Sequence, residues 1–321
     1  MLKNLAVAGA ILLASTVSAQ TFPTKPIALM VPFSAGGPTD TVARSLAQGM
    51  SKQLGQTVLV ENVPGAGGTI APTKLKGAGN DGYTLMLGHI GMSTAPTLYR
   101  KLPFNPLTDF EYVGQVVDVP MMFVARGDMP ANDFKALVDY VKKNKDKVTL
   151  ANAGLGAASH LCGLLFMSAL QTELTTVPYK GTAPAMNDLL GGQVDMMCDQ
   201  TTNTTSYFKS GKIKGYAVTT KQRVESLKEL PPASEAGLPG FEVSVWHGVY
   251  APKGTPKPVI DRLVQALQVA IAEPEFVKRM EALGSVVVPK EKATPEGLRS
   301  HLKAEIDKWA PIIKKAGVYA D

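Results

Sequence analysis

Two apolar runs near the start of the chain each end in a glycine-rich loop, and a helical pattern follows each loop. Residues 27–31 lead into the loop at 32–37, and residues 58–61 lead into the loop at 62–69. Glycine allows backbone N–H groups to approach a ligand closely, and the N-terminus of the following helix carries partial positive charge. The pair of loops therefore predicts either a site for a small carboxylate or phosphate, or two ordinary strand-to-helix turns of an α/β protein.

Strand-like and helix-like segments alternate along most of the chain. After the first loop, apolar residues recur at helical spacing, with Thr39 or Asp40 as the predicted N-cap. A third strand at 84–87 completes a βαβαβ unit with a parallel sheet. The same order then repeats with predicted strands at 148–151, 174–177 and 194–198. In such sheets ligands bind at the carboxyl ends of the strands, where all six loops are expected.

Two further segments, 112–119 and 241–251, are predicted to connect the two units. The helical patterns that follow have no strands of their own, so we expect them to pack on the first sheet. The resulting prediction is two lobes with a cleft between them: a discontinuous first domain of residues 20–120 and 246–321, and a second domain of residues 121–245. Facing loops across such a cleft are typical of a hinged binding protein.

The first 19 residues have the pattern of a secretory signal peptide. Lys3 provides a positive start, residues 5–13 are apolar, and Val17-Ser18-Ala19 forms a small-residue cleavage site. We expect cleavage before Gln20 and a periplasmic location. A membrane anchor is the alternative, but residues 5–13 fall short of the ~20 residues needed to span a bilayer.

The chain has two cysteines, Cys162 and Cys198. An even number of cysteines in an oxidising compartment makes a disulfide possible. Their predicted positions, early in a helix and at the end of a strand, equally suit two buried thiols. We favour the two thiols over the disulfide.

Motifs for catalysis are missing from the sequence. There is no Gly-x-Ser-x-Gly, His-x-x-x-His or Cys-x-x-Cys pattern among its residues, so neither a catalytic residue nor a bound metal is expected. A nucleotide-dependent dehydrogenase remains a distant alternative because Glu61 follows the second strand, although the Gly-x-Gly-x-x-Gly fingerprint is absent from the first loop. The lysine run at 142–147 is typical of a solvated helix end, so we expect no nucleic-acid partner. Of the four histidines, His89 is the one we place near a ligand.

Several longer motifs resemble one family over nearly the whole chain after residue 20. They are Phe22–Ile27, Val31–Gly37 with Asp40, Glu61–Gly68, Asp81–Thr84, Val177–Gly181 and Asp188–Asp195. Together they resemble the Bug (Bordetella uptake) family, the extracytoplasmic solute-binding proteins of tripartite tricarboxylate transporters.

The resemblance implies an α/β type II periplasmic-binding-protein fold, with two Rossmann-like lobes joined by two crossover strands. It also implies a protein that closes on a small organic acid and delivers it to a membrane permease. We assume a monomer, and we expect no cofactor. Backbone amides and ordered waters would hold one carboxylate. The residues that the resemblance places at the ligand in the first lobe are Phe33, Ser34, Ala35, Gly36, Gly37, Thr39, Gly65, Ala66, Gly67, Gly68, His89, Gly91, Met92 and Ser93. Those in the second lobe are Ala153, Gly156, Ala157, Ser159, Tyr179, Lys180, Gly181, Thr182, Asp199, Gln200 and Thr202.

Two stretches depart from the commoner family pattern, 89–96 and 198–202. They resemble the branch of the family that binds amino dicarboxylates. Asp199 is then the candidate to receive an α-ammonium group, although N-capping of a helix would explain this residue equally well. The expected ligand is an amino dicarboxylate such as aspartate, or a related C4–C5 dicarboxylate. Citrate and aromatic carboxylates are the alternatives.

Overall fold

The computed structural model describes residues 22–317 and 319–320. The predicted signal peptide, residues 1–19, therefore lies outside the described residues. The strands are β1 (Ile27–Val31), β2 (Val58–Asn62), β3 (Thr84–His89), β4 (Phe110–Arg126), β5 (Thr149–Asn152), β6 (Thr175–Pro178), β7 (Met196–Gln200), β8 (Ile213–Val218), β9 (Ser244–Pro252) and β10 (Val286–Val287). The helices are α1 (Pro38–Leu54), α2 (Ile70–Lys76), α3 (Gly91–Leu98), α4 (Phe134–Lys143), α5 (Ala158–Leu170), α6 (Thr182–Leu190), α7 (Thr201–Lys209), α8 (Lys257–Ala272), α9 (Pro274–Ala282) and α10 (Pro295–Ala316).

The strands form two sheets that share the long strand β4. The first sheet has the order β2-β1-β3-β9-β4-β10, in which β1 lies parallel to β2 and β3. The second has the order β6-β5-β7-β4-β8, in which β5 lies parallel to β6 and β7. We call residues 22–120 with 244–317 lobe I and residues 121–243 lobe II. The predicted α/β architecture of two parallel-sheet units is confirmed.

Strands β4 and β9 connect the lobes, as the sequence predicted for 112–119 and 241–251. β4 pairs with β9 as far as Pro120, opposite Ser244, and from Met121 onward it pairs with β7 and β8. Just beyond this change of partner, the buried Thr219 hydroxyl accepts a hydrogen bond from the Met121 backbone N–H at 3.0 Å. The same hydroxyl contacts the Val243 carbonyl oxygen. The domain boundaries at 120 and 246 stay a prediction.

Helices α8 and α10 pack on lobe I, against α1, α3 and β4, as expected. The expectation that no strand accompanies these helices was wrong, because the two residues of β10 pair with Val117 and Asp118 of β4. So short a strand leaves no alternating pattern in a sequence. Among the described helices, none combines the length and apolar character needed to cross a bilayer.

The start of α1 differs from the predicted N-cap at Thr39 or Asp40. The helix begins at Pro38, and Gly37 is its N-cap. Proline is favoured at the first helical position because its fixed φ suits the helix and its missing N–H would have no partner there. Both predicted capping residues therefore lie inside the first turn of the helix.

Cys162 and Cys198 form a disulfide, so the preference for two thiols was wrong. Cys162 lies in α5 and Cys198 in β7, and their Cα atoms are 6.1 Å apart. Because α5 packs against β7, two residues that are 36 positions apart in the chain face each other. The spacing of the two cysteines in the sequence does not predict this contact, because it depends on how α5 packs against β7.

Candidate functional site

The two lobes enclose a small polar cavity at the carboxyl ends of their parallel strands. The residues that form its wall are Phe33, Pro38, Thr39, His89, Ala153, Ala157, Ala158, Ser159, Thr182, Asp199 and Gln200. Nine of these eleven were predicted ligand contacts, and the structure brings them together from both lobes.

Four helices begin at this cavity. Pro38 and Thr39 open α1, Ala158 opens α5, Thr182 opens α6, and the cavity residue Gln200 precedes α7. None of these four N-termini has a hydrogen bond from a capping side chain. The free N–H groups and the partial positive charge of several helix ends therefore converge on one small space. Such an arrangement favours an anion without any arginine in the wall.

Asp199 contributes the opposite charge to the same cavity. Its side chain is buried, and its Oδ2 atom accepts a hydrogen bond from Asn203 Nδ2 at 2.6 Å, while its Oδ1 atom has no partner. Burial raises the pKa of Asp199 to about 6, against the lowering effects of the Asn203 side chain, the Gln200 backbone and the nearby Thr182 hydroxyl. No hydrogen bond of normal geometry joins Thr182 Oγ1 to the carboxylate. The N-cap of α7 is Gln200, so N-capping does not explain Asp199. A buried carboxylate oxygen without a partner is suited to a cationic or proton-donating ligand group.

Other buried oxygens near Asp199 also have no hydrogen-bond partner. Thr182 Oγ1 and Gln200 Oε1 belong to cavity residues, and Thr201 Oγ1 and Thr202 Oγ1 follow in α7. Buried polar atoms in folded proteins nearly always have partners. Those in the cavity wall therefore mark positions where a polar ligand or ordered water would complete the bonding.

Two buried histidines lie on the lobe I side. His89 stacks on Phe33 with ring centroids 4.8 Å apart, and its Nδ1 atom accepts a hydrogen bond from the Gly91 N–H at 2.7 Å. Burial lowers the pKa of His89 to about 4, so the neutral ring carries its proton on Nε2. His247 lies opposite His89 in β9, and its Nε2 atom is 3.2 Å from Thr39 Oγ1. The sequence analysis placed only His89 near the ligand. It missed His247 because β9, which carries this residue, pairs with β3 although the two strands are far apart in the chain.

The first glycine loop is held in place by Asp40 and Asn62. Asp40 accepts hydrogen bonds from the Gly36 N–H at 2.9 Å, from Asn62 Nδ2 at 2.9 Å and from Arg44 Nε at 2.8 Å. Asn62 Nδ2 also donates to the Phe33 carbonyl oxygen at 3.0 Å. Burial alone would raise the pKa of Asp40, but these hydrogen bonds hold it below its usual value. These acidic and amide residues of the sequence motifs shape the loop and are not in the cavity wall.

Replacement of Asp40 by alanine should lower the free energy of unfolding by about 3 kcal/mol, because three hydrogen-bond donors lose their buried, charged acceptor. The pKa of Asp40 is lowered on folding, so its stabilising effect is complete at neutral pH and disappears as the pH falls through that lowered value. Urea unfolding at pH 7 and at pH 3 measures both effects. Asp261→Ala, which removes an exposed carboxylate paired with Lys257, is the matched control. Equal losses in the two variants at pH 7 would contradict the prediction.

The remaining predicted contacts lie outside the cavity wall. A second space beside His89 is lined by Gly67, Gly68, Gly91, Met92 and Gly156. Tyr179 donates a hydrogen bond to Asp188 at 2.6 Å. The others outside the wall are Ser34, Ala35, Gly36, Gly37, Gly65, Ala66, Ser93, Lys180, Gly181 and Thr202. Pro38 and Ala158 are cavity residues that the sequence did not single out, although both belong to the helix starts next to predicted loops. Among the described residues, no three potential metal ligands lie together.

Comparison with known proteins gives consistent matches. A family model described as the tripartite tricarboxylate transporter family receptor (TctC) matches residues 42–318. A protein from Agrobacterium vitis, described as a UPF0065 protein in the TAR-I ttuE-ttuC' intergenic region, is 47% identical over 314 residues, which are 96% of this chain and 91% of that protein. The structure of the periplasmic binding protein BugD has a TM-score of 0.91 at 57% identity and covers 93% of this chain and 99% of its own. MatC from Rhodopseudomonas palustris with bound malate has a TM-score of 0.88 at 38% identity, covering 91% and 100%.

Proposed function

Because the chain belongs to the tripartite tricarboxylate transporter receptor family, we propose that it captures an amino dicarboxylate, with aspartate as the best candidate, between its two lobes. The periplasmic-binding-protein fold that was expected from the Bug family resemblance is confirmed. The amino-dicarboxylate ligand and the ligand-contacting residues are inferred from the cavity.

The observation that carries the proposal is the pairing of opposite charges in one cavity. Four uncapped helix N-termini favour carboxylates, and the unpartnered Oδ1 atom of Asp199 favours an ammonium group. An amino dicarboxylate presents two carboxylates and one ammonium group, so it satisfies both features. A simple dicarboxylate would leave the Asp199 carboxylate without a cationic partner.

A C4 dicarboxylate without an ammonium group is the second candidate, and one observation favours it. The pKa of Asp199 is raised to about 6, so its carboxyl group takes up a proton at modest cost and can donate a hydrogen bond to a ligand carboxylate. MatC, whose structure holds malate, is similar to this chain over nearly its whole length. Citrate and aromatic carboxylates are the remaining candidates for the same type of transporter.

Ligand identity is tested by thermal unfolding and titration calorimetry on protein expressed from the full-length coding sequence. Purified protein is unfolded without reductant and refolded to remove any acid that co-purifies. The panel contains L-aspartate, L-glutamate, succinate, L-malate, citrate, terephthalate, nicotinate and NAD. A ligand at a thousand times its Kd stabilises a protein by about 4 kcal/mol, which raises the melting temperature clearly.

We expect the largest shift with L-aspartate. A larger shift with succinate or L-malate would favour the second candidate, and a shift with citrate, terephthalate or nicotinate would move the ligand to another class of organic acid. A shift with NAD alone would contradict the proposal and support the dehydrogenase alternative.

We also propose that the protein is exported to the periplasm and that its signal peptide is cleaved before Gln20. The mature protein would be a monomer that passes its ligand to the membrane permease of a tripartite tricarboxylate transporter. The signal pattern of residues 1–19 and the family membership support this step. N-terminal sequencing of protein recovered from the periplasm of a bacterial host tests the cleavage. An N-terminus at Met1 in the periplasmic fraction would contradict it.

A further inference from the structure

The described residues of the two lobes contact each other at several places, and two of these contacts lie at edges of the cavity. At one edge, which we call the Tyr99 rim, Tyr99, Ala66 and Gly67 of lobe I meet Leu155 and Gly156 of lobe II. At the other edge, the backbone N–H of Ser34 in lobe I donates a hydrogen bond to the Lys180 carbonyl oxygen in lobe II at 3.2 Å. These contacts show that the structure is in a closed conformation.

Tyr99 bonds to both lobes with one hydroxyl group. Its oxygen lies 3.0 Å from the carbonyl oxygen of Ala66 in lobe I and 2.8 Å from that of Leu155 in lobe II, so the two carbonyl oxygens share its single proton. Tyr99 follows the end of α3, so its backbone belongs to lobe I. Separation of the lobes removes the Leu155 acceptor but leaves the Ala66 acceptor in place. One hydrogen bond of this side chain therefore exists only in the closed conformation.

The backbones at the Tyr99 rim approach so closely that a side chain at Gly67 would prevent this closed arrangement. A Cβ atom at Gly67 would lie 1.8 Å from the Leu155 carbonyl oxygen, far below van der Waals contact. A Cβ atom at Gly156 would lie 2.8 Å from the Tyr99 hydroxyl oxygen and would push that side chain away. Glycine at these two positions thus brings the Leu155 carbonyl within reach of Tyr99, which accounts for two predicted site residues that do not line the polar cavity.

We propose that Tyr99 is a positioning residue that sets how long a captured ligand remains bound, without contacting the ligand. The inference rests on the proposed capture function and deepens it. Tyr99 lines the second space beside His89 and is absent from the wall of the polar cavity, so on a ligand held in the polar cavity its hydroxyl acts through the closed arrangement of the lobes. Opening leaves the hydroxyl proton with Ala66 and gives the Leu155 carbonyl oxygen to water. Without the hydroxyl, the closed conformation lacks this donor to Leu155, so its loss favours the open conformation.

Tyr99→Phe removes the hydroxyl and keeps the ring. Loss of one intramolecular hydrogen bond in the closed state should increase the rate of L-aspartate dissociation about fivefold, with the association rate within twofold of wild type. Stopped-flow fluorescence or surface plasmon resonance measures both rates. A purely structural role would lower stability without separating the two rates.

Tyr83→Phe is the matched control. The Tyr83 hydroxyl also has two hydrogen-bonding contacts, with the backbone N–H of Thr24 at 2.8 Å and with the Thr24 hydroxyl at 3.2 Å, and both partners belong to lobe I. This variant should keep the wild-type dissociation rate. Equal dissociation rates in Tyr99→Phe and Tyr83→Phe, with normal aspartate binding by the wild type, would overturn the role of Tyr99.

Small-angle X-ray scattering of the ligand-free proteins provides a second measurement that does not depend on the ligand. We expect Tyr99→Phe to have a larger radius of gyration than Tyr83→Phe, because its open conformation is more populated. If wild-type protein binds no acid of the panel, the proposed function fails, and the scattering comparison still decides whether Tyr99 holds the lobes together. Identical radii in that case would overturn the inference.

Discussion

Replacement of Asp199 by asparagine should weaken L-aspartate binding about a hundredfold, the largest effect on affinity that we expect. The substitution removes the charge that faces the ligand ammonium group in a buried site, where loss of a charged partner costs roughly 3 kcal/mol or more. Succinate has no ammonium group, so its affinity should stay within threefold of wild type or increase. Titration calorimetry with both acids measures the change in preference.

Asn203→Ala is a useful companion variant, because it removes the hydrogen bond to Asp199 Oδ2 without removing the carboxylate. Its effect on aspartate should be smaller than that of Asp199→Asn. If Asp199→Asn binds L-aspartate with unchanged affinity, the assignment of the ammonium group to Asp199 is wrong.

The same carboxylate predicts how binding depends on pH. The pKa of Asp199 in the ligand-free protein is raised to about 6, and an ammonium group beside it would lower that value again. Below pH 6 the carboxyl group must lose a proton before it pairs with the ligand. Aspartate affinity should therefore be about tenfold weaker at pH 5 than at pH 7, and Asp199→Asn should lack this dependence.

Removal of the disulfide should produce the largest loss of stability. The bond between Cys162 and Cys198 closes a loop of 36 residues, for which loop-closure entropy predicts about 4 kcal/mol. Urea unfolding of the double variant Cys162→Ala/Cys198→Ala, and of wild type with dithiothreitol, measures this loss. The two samples should unfold at similar urea concentrations, both lower than that of the oxidised wild type.

Dithiothreitol should leave the unfolding of the double variant unchanged, which controls for other effects of the reductant. Detection of two reactive thiols in unfolded wild-type protein purified without reductant would contradict the disulfide. So would wild-type unfolding that dithiothreitol does not alter.

The fold was predictable because its strands and loops leave strong local patterns. Each parallel strand is a short apolar run that ends in glycine or hydroxyl residues, and the order of these runs predicts two βαβαβ units. The exact start of α1 was missed because Gly37-Pro38 and Thr39-Asp40 are both acceptable helix starts in a sequence. The two-residue strand β10 is formed by pairing with β4, and its own residues carry no pattern.

The loops that form the site were predictable from the sequence, but the contacts between distant residues around it were not. Ser159 in the first turn of α5 and Thr182 at the start of α6 each follow a strand after a short loop, so their place at the sheet edge is visible in the sequence. The disulfide, the approach of His247 to Thr39 and the bond from Tyr99 to Leu155 join residues that are 36, 208 and 56 positions apart. Contacts over such separations depend on how the helices and the lobes pack, which local spacing does not encode.

Pro120 lies where β4 leaves one sheet and enters the other, and it has no backbone N–H to donate. The chain can turn at this residue without breaking a hydrogen bond from its own nitrogen, while Thr219 ties Met121 to the neighbouring segment immediately beyond. We therefore expect the lobes to rotate about this part of β4. Substitutions in the binding loops should then change which acid is held without moving the axis of rotation.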